Sequence, residues 1–162
     1  MRDYSKISPK VWRSPRFRSQ ADDSRLLYIY LLTCEHQSSA GCFRLPDAYA
    51  AENLNWPIER VQAARTPLVG CELVAHDPET FEYFILRWFR HNPTTNPKHL
   101  QGVMRLISEL DSDPIREAAE AELEESLETK AQTSTNVVSA REKFPGNDRL
   151  TGSNYLSGNG RG

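Results

Sequence analysis

The stretch "PDAYAAENLNWPIERVQAARTPLVGCELVAHDPETFEYFILRWF", from Pro46 to Phe89, constrains the fold more than any other: two proline-started helical segments precede two strand-like runs. Proline suits the first turn of a helix, where an amide donor would be unpaired anyway. "PDAYAAENL" therefore reads as a compact second helix ended by "NWP", and "PIERVQAARTP" as a third helix with Ile58, Val61 and Ala64 on one side. Its other side carries Glu59, Arg60, Gln62, Ala63 and Thr66. Pro67 lacks an amide hydrogen, so the regular helix is expected to end near Thr66 or to kink there. "CELVA" and the aromatic, branched "FEYFILRWF" read as two strands joined by the turn "HDPET", a hairpin.

Upstream, "SQADDSRLLYIYLLTCEH" reads as the first helix, with Ser19 and Asp22 in a weak capping box and Leu27, Tyr30, Leu31 and Cys34 on one face. "QSSAG" ends it, and "CFRL" is a short strand. Helix, short strand, two helices and a hairpin in that order are a winged helix-turn-helix, in which the hairpin turn is the wing. Downstream, "NPTTNPKHLQGVMRLISEL" starts a helix at Asn96 and Pro97 with Leu100, Val103, Met104, Ile107 and Leu110 on one face. "DSDPIREAAEAELEESLE" repeats the device at Asp113 and Pro114, with Ile115, Ala118, Ala119, Leu123 and Leu127. These two helices form a hairpin against the winged domain or against a second copy of the chain. The Gly-, Ser- and Asn-rich text after residue 130 has no usable period and reads as a disordered tail, either spacer or, at "EKFPGNDRLTGSNYL", a partner-binding peptide. The expected class is mainly α with a small β-hairpin, divided as 1–92, 93–130 and 131–162.

Charge is informative in its placement. The net of −2 conceals a front end, residues 1–20, with six Lys/Arg against one acid, and a segment, 93–130, with four basic against nine acidic residues. A basic arm next to an acidic segment suggests that one end meets a polyanion. Lys6, Lys10, Arg13, Arg16 and Arg18 are the phosphate contacts this arm offers. In the third helix, Arg60, Gln62 and Arg65 are of the types that donate to base edges, with Thr66 beside them. So few readers cover only a few base pairs, which calls for a homodimer or clustered sites. Each arginine is equally an ordinary solvated residue paired with a nearby acid. Asp77 and Glu79 in the turn repel phosphate, and only His76, when protonated, counters them. Trp12, Phe17, Trp56, Tyr83, Phe84, Trp88 and Phe89 are read as packing rather than base-stacking groups.

No catalytic motif is present: no Gly-rich phosphate loop, HExxH, GxSxG or paired acids on one element. No enzyme, cofactor or metal is expected, and Cys34, Cys42 and Cys71, odd in number and without CxxC spacing, read as buried thiols. No run of apolar residues is long enough for a membrane span or a secretory signal, so the chain is placed in a bacterial or phage-infected cytoplasm.

"YSKISPKVWRSPRF", "SRLLYIYLLTC", "GCFRLP" and above all "WFRHNPTTNPK" within "RWFRHNPTTNPKHLQGVMRLI" resemble the N-terminal region of phage replication proteins of the replisome-organiser or DnaD-like primosome family, over residues 4–130. The chain departs from that pattern at Arg65, where the family carries an apolar residue, and near Glu72, where its glycine falls instead at Gly70. No counterpart of the family's helical C-terminal domain is read after residue 130. The resemblance implies a DNA-binding winged helix at a replication origin. The alternatives are an adaptor that recruits a helicase or helicase loader, and a phage transcription regulator.

Overall fold

Helices dominate, with one small antiparallel sheet. The computed structural model describes residues 5–143, with side chains from 5 to 133. The chain divides into two compact units, residues 1–126 and 127–162. The expected boundary at residue 92 falls inside the first unit.

The basic arm is folded, as a 3-10 turn, Pro9–Arg13, and a single-turn helix α1, Pro15–Arg18. Each starts with proline, and Ser8 accepts from the Lys10 N–H. Phe17, 1 % exposed, is the side chain by which the arm joins the core. Helix α2, Asp22–Thr33, begins two residues later than a Ser19 cap would place it. Ser19 instead closes α1, its hydroxyl donating to the Arg16 carbonyl, so the expected capping box does not form. Leu27, Tyr28 and Leu31 of α2 are buried.

Strand β1, Cys42–Arg44, leads to helix α3, Asp47–Leu54, which Asn55 ends in the left-handed region at φ 53°. Helix α4 runs Ile58–Gly70, straight through Pro67. The hydrogen bond that proline removes would have reached the Ala63 carbonyl, and both residues are exposed, so that carbonyl stays open to solvent and the loss is small. On the opposite side Val61, Ala64 and Leu68 are buried, and keeping Leu68 in the core requires the helix to continue. Ile58, expected among the core residues, is 42 % exposed.

Strands β2, Val74–Asp77, and β3, Glu82–Ile85, form the hairpin, but β1 adds to β3 on the other side. The sheet is therefore three-stranded, order β1-β3-β2, with Phe43 opposite Tyr83 and His76 opposite Tyr83 on its two flanks. The expected long strand over 81–89 is cut at both ends by residues of positive φ, Phe81 at 58° and Arg87 at 65°. After Arg87 the chain turns into the short helix α5, Trp88–His91. Trp88 Nε1 donates to the Ser39 carbonyl at 2.9 Å and its ring lies where a Cβ on Gly41 would sit, which fixes that position as glycine.

Helix α6, Pro97–Ser108, begins as expected, with the Asn96 side chain accepting from the His99 N–H at 2.8 Å. Val103, Ile107 and Leu110 are buried, whereas Met104 is 56 % exposed. Helix α7, Asp113–Lys143, contributes Ile115, Ala119 and Leu123 to the core of the first unit. It runs thirteen residues past the expected end at 130, because the sequence offers no Gly or Pro between Pro114 and Pro145 to stop it. The rest of the expected tail lies outside the described residues.

Candidate nucleic-acid interface

Helix α4 presents its two arginines to the protein's own acids. Arg60 Nε and Nη2 donate to Asp23 of α2 at 2.8 and 2.7 Å, and its guanidinium lies 4.3 Å from the centre of the Trp56 ring. The hydrogen bond from Arg60 holds the Asp23 carboxyl below its ordinary range. The pair is half exposed, 47 % and 43 %, so competing phosphate can draw Arg60 away.

Arg65 is differently placed. Its side chain is 12 % exposed, paired through Nη1 and Nη2 with the Asp47 carboxylate of α3, and it donates to the Tyr83 hydroxyl at 2.8 Å. Burial alone would raise the Asp47 pKa, but the hydrogen bonds from Arg65 and Gln62 lower it. Gln62 Nε2 donates to the same carboxylate at 3.1 Å, and the Thr66 hydroxyl donates to the Gln62 carbonyl. Arg65 thus joins α3, α4 and β3, with its guanidinium committed to Asp47 and Tyr83. Asp47, eighteen residues away, is the partner that holds Arg65 in this enclosed place.

The β2–β3 turn is also committed inward. Asp77 and Glu82 stand opposite each other in the hairpin. Glu82, 4 % exposed, accepts from the backbone N–H groups of Asp111 and Ser112 at 3.0 and 2.7 Å, while the Ser112 hydroxyl donates to Asp77 at 2.6 Å. Two acids of the hairpin therefore hold the start of α7, where a helix N-terminus favours negative charge. His76 does not supply a cation: burial, assisted by Arg65, lowers its pKa to about 4.

The arm behaves otherwise. Among the described residues, Lys10, Arg13, Arg18 and Arg90 have no carboxylate at ion-pair distance, and Arg16 meets Glu72 at 3.3 Å. Trp12, expected to pack, is 63 % exposed with only an edge contact to Phe17, 5.4 Å between ring centres. Lys6, Lys10 and Arg16 line a groove of about 740 Å³ together with Arg87, Arg90 and His91, and no described lining residue is acidic. Sequence reasoning missed this second half of the basic surface. The expected strand "FEYFILRWF" ends at Phe89 and leaves Arg90 and His91 in a connector; the turn at Arg87 starts α5 instead and places Arg87, Arg90 and His91 along the groove.

No protein-family model, curated protein or solved structure matches this chain. Among the described residues no group of three His, Cys, Asp or Glu side chains is placed to hold a metal, and no helix is long and apolar enough to cross a membrane.

Proposed function

We propose that this chain is a winged-helix protein that binds duplex DNA in the initiation of phage DNA replication, gripping the backbone with its folded N-terminal arm. In this reading α3 and α4 are the helix-turn-helix, broken at Asn55, and β2–β3 is the wing. The observation that carries the reading is the arm itself: Lys10, Arg13 and Arg18 lie exposed within nine residues, on elements anchored by Phe17 and without carboxylate partners among the described residues. Cations pre-placed in this way bind phosphate with little ordering cost and release counterions. Sequence choice falls to Arg60, the one arginine of α4 whose ion pair is open to competition.

The test is binding to phage DNA fragments across a salt series, read by fluorescence anisotropy. Arg13→Gln/Arg18→Gln should reduce the magnitude of the salt slope by about 2. Arg60→Ala should narrow the difference between preferred and other fragments. Absence of duplex binding by the wild type at low salt would overturn the reading.

One feature favours a second reading, an adaptor that recruits a helicase or loader. Apart from Glu59 and Arg60, the outward side of α4 is uncharged, with Ile58 and Val69 exposed at 42 % and 41 % beside Ala63 and Gly70. Such a surface suits a protein partner better than phosphate. Substituting Ile58 and Val69 by serine would then leave DNA affinity unchanged and abolish recruitment.

A further inference from the structure

The groove between the arm and the β3–α5 turn combines two properties that a DNA grip does not need together. Its rim is cationic, with Lys10 exposed on the 3-10 turn of the arm, Arg90 exposed on α5, and Arg16 and Arg87 also in the lining. Its floor is aliphatic, with Val11, Leu32 and Leu86 each left partly open. A duplex is a convex rod that meets a protein through its phosphates, so it would use the rim and leave the floor wet. A single strand would bring bases, which need the flat face of an aromatic ring to stack on. Phe17, Tyr28 and Trp88 at this groove are at most 8 % exposed and the exposed Trp12 does not line it, so among the described lining residues His91 is the one exposed ring, too few for successive bases to stack on.

We infer that this groove is a docking site for an acidic amphipathic segment of a partner protein, with Asp or Glu side chains on the Lys10–Arg90 rim and aliphatic or aromatic side chains on the Val11–Leu32–Leu86 floor. The described lining residues carry charge of one sign, and Glu72, the acid that pairs with Arg16, lies outside the lining. The volume, about 740 Å³, is that of a cleft filled by a few large side chains, the anchors of a helix in a groove. Burying those anchors supplies the affinity, and the rim sets orientation and association rate. The site shares Lys10 with the duplex-DNA reading, which is tested separately on Arg13 and Arg18, two residues that do not line the groove.

The full chain is titrated into a fluorescein-labelled helical peptide of about four turns, with Glu on one side and Leu and Phe spaced i, i+3, i+4, i+7 on the other. Wild type is expected to bind, and Lys10→Glu/Arg90→Glu to weaken binding by on the order of tenfold or more. Both residues are exposed, so the reversal leaves the core untouched. A peptide of the same charge with Ser for Leu and Phe should likewise bind on the order of tenfold or more weakly. Oligothymidylate of equal charge should fail to displace the amphipathic peptide. The proposal is overturned if wild type does not bind the peptide, if the serine peptide binds equally well, if the charge reversal changes nothing, or if oligothymidylate competes on equal terms.

Discussion

Arg60 and Arg65 stand five residues apart on one helix, with the same charge and the same hydrogen-bonding fork, yet they have different uses. The difference lies in how much water each ion pair keeps. Asp23 and Arg60 remain half exposed, so their attraction is screened and their separation costs little. Asp47 and Arg65 are 11 % and 12 % exposed, and removal of one partner leaves the other desolvated. Arg65→Ala is therefore expected to destabilise the protein by roughly 3 kcal/mol, visible as a lower midpoint in chemical denaturation. Arg60→Ala should leave the midpoint close to wild type. Equal midpoints for the two variants would contradict the structural role assigned to Arg65. A loss of DNA binding in Arg65→Ala cannot be taken as loss of a base contact, which makes Arg60 the informative position on this helix.

At the level of elements, the hairpin acts as a clamp as much as a pair of strands. Glu82 and Asp77 face each other and together receive two backbone N–H groups and a hydroxyl from residues 111 and 112, so the sheet holds the start of α7. Glu82→Ala would leave the enclosed Ser112 N–H unpaired and that of the exposed Asp111 to water, a loss of roughly 1 to 3 kcal/mol. Glu82→Gln, which keeps an acceptor oxygen, should lose less, and amide hydrogen exchange at Ile115 and Arg116 should quicken in the alanine variant first. Unchanged exchange there would mean that α7 starts without the clamp. Such ties explain which parts of the fold were legible in the sequence. Prolines, Asn96 and the spacing of Val61, Ala64, Val103 and Ile107 act within a few residues, and they located the helices. The contacts of Arg65 with Asp47, Arg60 with Asp23 and Glu82 with Ser112 span 18, 37 and 30 residues. Periodicity records which face is apolar but carries no trace of which acid packing will bring to it. For the same reason the positive φ values at Phe81 and Arg87, imposed by how β3 meets its neighbours, shortened a strand that composition alone had extended.

Across the first unit, two half-buried titratable groups oppose each other in their response to pH. Glu122 of α7 accepts from the Arg87 and Phe89 N–H groups at 2.6 and 2.9 Å, yet burial outweighs these donors and raises its pKa to about 7 from an ordinary 4.5. A carboxyl that holds its proton more tightly when folded adds stability that is fully present below pH 4.5 and is lost as pH rises through about 7. His76, lowered by burial to about 4 from 6.5, has the reverse effect: its contribution is present above pH 6.5 and is lost as pH falls towards about 4. The two windows overlap almost completely, and the slopes are opposite. Wild type should therefore show a nearly flat thermal midpoint between these limits, and each single variant should expose the other group. Glu122→Gln removes the term that rises on acidification, so its midpoint should fall as pH drops below 6.5. His76→Gln removes the opposing term, so its midpoint should fall as pH rises towards 7. Thermal unfolding of the three proteins across this range decides the matter: a wild-type profile steeper than both variants would mean that the two groups do not offset each other. Where the offset holds, a chain with a cationic groove and an acidic helix keeps its fold through the neutral range, so that changes in its binding with pH report on the partner's charges rather than on its own unfolding.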